Sequence, residues 1–245
     1  MRHPFKKKWG QNFLINKSMI SNIIDSLNLK ISDEVLEIGP GDGALTNELI
    51  KRIKYLYGVE IDPLLIKKLN EKKISNATFF EADILKWDFK NIPHNIIVIG
   101  NLPYNISSPI LFKLLEYNNW KKMGLMFQKE VAERIISKHR VKSYGRLSIM
   151  CQIYCKVNIE FIISKDMFMP QPKVDSAFVT FNRHSSNLPN IKKFSQFIQL
   201  AFSQRRKKLK NNLIKIHERG LLDKWAHLRP EELSPKDYLQ LYNRI

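Results

Sequence analysis

Cysteine is almost missing from this 245-residue chain: there are only Cys151 and Cys155. They stand one helical turn apart with no histidine cluster beside them, so a metal pair lacks further ligands. Such residues are expected to be small buried hydrophobes in a reducing compartment. Long apolar runs are missing as well. Stretches such as Ile96-Ile97-Val98-Ile99 are far too short to span a bilayer. The start, Met1-Arg2-His3-Pro4-Phe5-Lys6-Lys7-Lys8, has charge but no apolar stretch, so it is no secretory signal, and a cytoplasmic location is expected. No internal repeat or low-complexity tract is visible. Acidic residues are scarce: 23 Asp and Glu face 41 Lys and Arg, a formal charge of +18. A lysine-rich composition bias does not by itself explain the shortage of acids. The balance favours a polyanionic partner, foremost nucleic acid.

Apolar residues make up 44% and aromatics 11% of the chain, an ordinary soluble globular composition with enough length for a substantial core. Ile20, Ile23, Ile24 and Leu27 mark an amphipathic helix after Asn16. Strands are expected at 34–38, 55–61, 78–80, 95–99 and 124–127. Helices are expected between them, one starting at Pro63 and one over 109–115. This alternation argues for an α/β fold with a mostly parallel, doubly wound sheet. Segments 157–163 and 174–181 alternate well enough to close it as an antiparallel pair. Beyond 184 only helices are expected, around 194–202, 209–216 and 238–242. The expected domains are 1–184, with a basic segment 1–10, and a helical domain 185–245.

The run Val35-Leu36-Glu37-Ile38-Gly39-Pro40-Gly41-Asp42-Gly43 is a strand entering a glycine-rich turn before a helix. Glycines let backbone N–H groups approach a ligand, and a helix N-terminus favours negative charge there. About twenty residues on, Glu60, followed by Ile61, ends the second strand, where a carboxylate can take both ribose hydroxyls. Gly39, Gly41 and Ala44 also satisfy a dinucleotide pattern, so the loop alone does not exclude NAD. Glu37 before the glycines and Asp83 after the third strand, placed to bind an adenine amine, favour S-adenosylmethionine.

Asn101-Leu102-Pro103-Tyr104 is suited to one chemical group. The exocyclic amine of adenine is a poor nucleophile because its lone pair is delocalised into the ring. To methylate it, a protein must accept hydrogen bonds from both N–H groups and hold the base in plane. Asn101 supplies a side-chain carbonyl, and the backbone beside Pro103 a second acceptor. Tyr104 gives a flat face, and Phe168 is the candidate for the other. The plainer alternatives are a proline turn after a strand and core packing of both rings.

With the glycine loop, this tetrapeptide resembles class I (Rossmann-like) S-adenosylmethionine-dependent methyltransferases acting on adenine. The longer string from Gly100 through Ser107-Ser108-Pro109-Ile110-Leu111 is similar to the small-subunit (16S) rRNA adenine dimethyltransferases, the KsgA/RsmA family. So are Gly10-Gln11-Asn12-Phe13-Leu14, Phe127-Gln128-Lys129-Glu130, Phe168-Met169-Pro170-Gln171-Pro172-Lys173-Val174-Asp175-Ser176 and Phe202-Ser203-Gln204-Arg205-Arg206-Lys207-Lys208-Leu209. The match weakens beyond Leu213, where the chain looks shorter than is usual. The resemblance implies a seven-stranded sheet, a small all-helical C-terminal domain and transfer of four methyl groups to two adjacent adenosines near the 3′ end of 16S rRNA. It implies that Asn12 and Leu14 close over the methionine end of the cofactor. Gly39 would line it, Glu60 hold the ribose, Asp83 bind the adenine and Asn101 sit beside the sulfonium. No metal is expected.

The best RNA-phosphate candidates are Arg205, Arg206, Lys207, Lys208 and Lys210, read as lying on a helix whose Phe202, Leu209 and Leu213 face inward. Lys6, Lys7 and Lys8 form a second cluster. The expected partner is 16S rRNA in the small subunit or its precursor, bound by a monomer. Rival readings are a large-subunit rRNA adenine methyltransferase of the macrolide-resistance type, an adenine-directed DNA methyltransferase and a non-catalytic assembly role. Leu102 and the Ser108-Pro109-Ile110-Leu111 continuation weigh against the first. The short region after 184 leaves little room for the recognition domain of the second.

Overall fold

The computed structural model describes residues 10–117, 119–184 and 188–245. Lys6, Lys7 and Lys8 lie outside them. Its elements are β1 (Phe13–Leu14), α1 (Lys17–Ser26), β2 (Glu34–Ile38), α2 (Thr46–Leu49), β3 (Tyr55–Glu60), α3 (Pro63–Glu71) and β4 (Ala77–Glu81). There follow β5 (Ile96–Asn101), α4 (Ser107–Tyr117), β6 (Trp120–Gln128), α5 (Lys129–Ile135), α6 (Arg146–Tyr154), β7 (Cys155–Ile163), β8 (Phe168–Met169) and β9 (Ser176–Arg183). The chain ends in α7 (Ile191–Ala201), α8 (Leu209–Asn212), α9 (Ile214–Glu218) and α10 (Pro235–Tyr242).

Seven strands form one sheet in the order β4-β3-β2-β5-β6-β9-β7. The first five run parallel, and β9 lies antiparallel to β6. Ile96, Ile97, Val98 and Ile99 of β5 are at most 2% exposed, as expected for a central strand covered on both faces. The strand order reverses between β2 and β5, and a sheet of this kind opens a crevice beyond the carboxyl ends of those strands. Gly100 lets them approach: a Cβ there would lie 2.8 Å from the Ile38 carbonyl oxygen. On α1, Ile20, Ile23 and Ile24 are buried, and the Asn16 side chain caps the helix by accepting from the Met19 N–H at 2.9 Å. Their core extends to Leu14, Val35, Ile99, Met126, Phe168 and Phe178.

The chain packs as two compact units: Met1–Ala132 with Asn158–Asn182, and Glu133–Val157 with Arg183–Ile245. This differs from the linear boundary expected at 184. The last turn of α5, from Glu133, and all of α6 group with the C-terminal helices, and α6 contacts α7 and α10. Nearly every side chain of α6 is buried, Cys151 included, so it is the central helix of its own unit. Burial raises both thiol pKa values, that of Cys155 to about 12.

The expected helix over 209–216 is broken at Leu213 into α8 and α9. Arg205, Arg206, Lys207 and Lys208 also lie off any helix. They occupy an exposed turn after α7, with Leu209 and Leu213 buried beyond it. Asn212 accounts for the turn at 205–208: its Nδ2 donates to the carbonyls of Ala201 at 2.6 Å and Gln204 at 3.1 Å, satisfying acceptors that a helix continued past α7 would have used. Among the described residues, no helix is long and apolar enough to cross a membrane.

Candidate active site

The loop after β2 carries Gly39 and Gly41, both with positive φ. The next strand ends in Glu60, Ala82 and Asp83 follow β4, and Asn101 closes β5. Parallel pairing brings these strand ends to one side, where Gly39, Gly41, Glu60, Ile61, Asp83, Asn101 and Pro103 line a single cleft. Asn12 joins them from the segment before β1.

Glu60 is 6% exposed, and its carboxylate accepts three backbone hydrogen bonds: from Gly41 at 3.1 Å, Ile61 at 2.9 Å and Asp62 at 3.0 Å. Burial raises its pKa, and those N–H groups oppose the rise. Glu37 sits beneath the glycine loop, fully buried, with Thr46 Oγ1 donating to it at 2.6 Å. Burial, helped by the neighbouring Glu60 charge, lifts its pKa to about 7. Asp83 Oδ1 accepts from the Leu85 N–H at 2.9 Å, fixing the turn after β4. Lys113 on α4 holds the same turn by donating to the carbonyls of Leu85 at 2.9 Å and Trp87 at 2.6 Å.

Asn101 Nδ2 donates to the Asn12 carbonyl at 2.6 Å. That bond assigns the amide orientation, so Oδ1 is the acceptor end. The Pro103 carbonyl accepts from Ile106 N–H at 3.1 Å. Tyr104, half-buried, has its hydroxyl 2.5 Å from Ser176 Oγ.

Two expected site residues lie elsewhere. Leu14 is 3% exposed and Phe168 is 2% exposed; they pair across β1 and β8 and belong to the core. As placed, Phe168 packs in the core and presents no exposed face to a base. Phe13 takes the position expected of Leu14: it lines the cleft, and its ring packs so closely on the loop that a Cβ at Gly41 would lie 2.7 Å from it. Alternation along β1 was the available signal, since successive residues face opposite sides. Gln11, which also lines the cleft, donates to Asp62 Oδ2 at 3.1 Å and ties the overlying segment to the start of α3. No group of metal-ligating side chains occurs among the described residues.

A sequence profile of the ribosomal RNA adenine dimethylase family matches residues 2–245. The chain belongs to this family. Among its dimethylase relatives, the ribosomal RNA small subunit methyltransferase A of Buchnera aphidicola is 43% identical over 250 residues, covering 98% of this chain and 96% of that one. The solved dimethyladenosine transferase from Plasmodium falciparum is 29% identical, covers 94% of this chain and 95% of that chain, and superimposes with a TM-score of 0.84. The 23S rRNA methyltransferase ErmE is 27% identical, covers 95% and 98%, and gives 0.72. The dimethylase profile runs past Leu213 to the last residue, so the apparent weakening there was variation within the family and not departure from it. The enzyme is an rRNA adenine dimethyltransferase with a Rossmann-like fold.

Proposed function

We propose that this dimethyltransferase uses S-adenosylmethionine to dimethylate two adjacent adenosines near the 3′ end of 16S rRNA, acting on the small subunit or its precursor as a monomer in the cytoplasm. The observation that carries the reading is the Asn101 carboxamide, oriented by Asn12 at the rim of a cleft that also holds Glu60 and Asp83. The residues fit the cofactor: a carboxylate for a ribose at one strand end, another for a purine amine at the next, and a glycine turn between helix and strand. When bound, the cofactor supplies an activated methyl group.

The protein's work is then orientation. Asn101 Oδ1 accepts one N–H of the adenine amine. The Leu102 carbonyl accepts the other, since the Pro103 carbonyl is already engaged by Ile106. Tyr104 stacks on one face of a base taken out of its stack, a contact worth roughly 1–3 kcal/mol. The methylated amine is acidic enough to lose its proton to water. Gly39, Gly41, Ile61, Asn12 and Phe13 enclose the cofactor. Arg206, Lys207, Lys208 and Lys210 hold RNA phosphates. The small-subunit names among the relatives and the higher TM-score with the dimethyladenosine transferase favour this over the large-subunit alternative. A labelled-methyl assay on immature small subunits, naked 16S rRNA, large-subunit rRNA and duplex DNA tests it. Transfer confined to large-subunit rRNA or DNA would overturn it.

A further inference from the structure

Residues 137–143 form a closed loop within the C-terminal unit. Ser137 and Ser143 join across its base, Oγ to Oγ at 2.7 Å, and Gln152 Nε2 donates to the Ser137 carbonyl at 2.9 Å. Tyr144, which follows, is fully buried with its hydroxyl donating to the Leu233 carbonyl at 2.9 Å. Every residue of the tip, Lys138, His139, Arg140, Val141 and Lys142, is exposed. Arg140 holds a left-handed backbone, φ +68°, with its N–H donating to the Glu231 carbonyl at 2.7 Å. A bulky residue kept in that region by an anchored backbone marks a loop whose shape is imposed from outside it.

Arg205 supplies part of that restraint. Its guanidinium donates to the Lys142 carbonyl at 2.6 Å and lies 3.5 Å from the Glu231 carboxylate. It thereby fastens the loop to the basic turn in which Arg205 itself stands. The side chains of Lys138, Arg140, Lys142, Arg206, Lys207 and Lys208 have no carboxylate partner among the described residues. Lys51, Arg52 and Lys54, by contrast, pair with Glu48, Asp25 and Glu34. Six cations without a carboxylate partner among the described residues thus stand on two exposed segments joined by Arg205. Such a face fits a phosphate backbone.

We propose that loop 138–142 binds RNA phosphates together with turn 206–208, and that Arg205 is the clasp between them and does not itself touch RNA. The inference rests on the reading that the enzyme engages rRNA directly. It adds a contact segment that the sequence did not single out and removes Arg205 from the phosphate contacts.

The test uses the full chain and a transcribed 16S rRNA, with affinity measured against salt. The triple variant Lys138→Gln, Arg140→Asn, Lys142→Gln should bind more weakly, with a log–log salt slope shallower by about 2, three contacts at ~0.7 each. A control triple, Lys51→Gln, Lys67→Gln, Lys73→Gln, should leave the slope near the wild type. Arg205→Gln should speed hydrogen exchange at the Arg140 amide, and Arg205→Lys should not restore protection because it lacks the planar fork. If the loop triple matches the control triple, the loop is no RNA surface. If Arg205→Gln lowers the slope by one contact while the Arg140 amide stays protected, Arg205 touches RNA and the clasp assignment fails. A wild-type protein with no salt-dependent affinity for the transcript would overturn the rRNA reading and this inference together, a different outcome from either of the others.

Discussion

Asn101 and Asn12, 89 positions apart in the chain, are joined by a 2.6 Å hydrogen bond from the carboxamide Nδ2 to a main-chain oxygen. The bond does two things at once. It leaves Oδ1 as the acceptor end of the amide, and it ties the end of β5 to the segment before β1 that lines the same cleft. In Asn101→Asp the donor becomes an acceptor facing another acceptor, so both functions are lost. Asn101→Ala removes the grip but creates no repulsion. Both variants should lose methyl transfer by at least ~100-fold, the usual cost of removing one group that stabilises charge in a transition state. Both variants lose the bond to Asn12, but only Asn101→Asp adds a repulsion, so cofactor binding by calorimetry should weaken more in Asn101→Asp than in Asn101→Ala. Equal cofactor affinities in the two variants would disprove the coupling.

The contact between the Tyr104 hydroxyl and Ser176 Oγ fixes the ring expected to face the base, from a strand whose first residue is 1% exposed. Ser176→Ala leaves a half-buried phenol without its partner, at about 1 kcal/mol. Tyr104→Phe removes the other end. If the bond orients the ring, each single variant should slow transfer several-fold and the double variant should be no slower than the worse single one. Independent, multiplying effects would show that the hydroxyls act separately.

Lys113 reaches from α4 to the Leu85 and Trp87 carbonyls, and its ammonium lies 5.3 Å from the Phe89 ring centre. Asp83 is close enough to favour its charge, although burial lowers its pKa overall. It therefore acts as a positioning residue for the turn that presents Asp83. Lys113→Met should raise the dissociation constant of S-adenosylhomocysteine about tenfold, leave kcat at saturation nearly unchanged, and reduce discrimination against the 6-oxo analogue in which the adenine amine is replaced. Discrimination kept intact while affinity falls would mean the lysine serves only stability.

Much of this was legible in the residues because local patterns and chemistry agreed. The strand at Glu34–Ile38, the helix start at Pro63 and the cleft positions of Gly39, Glu60, Asp83 and Asn101 follow from periodicity, turn chemistry and strand-end spacing. The failures have a common cause: they depend on which side of a short element faces which neighbour. The family resemblance points to Leu14, whereas in β1 successive residues face opposite sides and Phe13 is the one on the cleft side. Phe168 entered the core because its partner in β1 is Leu14. The basic turn at Arg205–Lys208 read as helix because nothing local reports that Asn212, several residues later, caps α7. The grouping of α6 with the C-terminal unit likewise depends on contacts with helices some forty or more residues further along.

Glu37 gives a pH dependence of known sign. Its pKa rises from 4.5 in the unfolded chain to about 7 in the fold, through burial, with Thr46 and the Lys72 charge opposing and the Glu60 charge adding. Between those values the folded protein binds a proton that the unfolded chain has released. Stability from this group is therefore present below pH 4.5 and declines as pH rises through the window to about 7. At ~1.4 kcal/mol per unit the loss is about 3 kcal/mol. Glu37→Gln keeps the shape and an acceptor for Thr46 but cannot ionise. Urea unfolding at about pH 5 and about pH 7.5 should show the variant gaining on the wild type at the higher pH. A stability difference that does not change with pH would mean that Glu37 ionises in the fold as freely as it does in the unfolded chain, with the buried carboxylate stabilised by neighbours beyond Thr46 and Lys72.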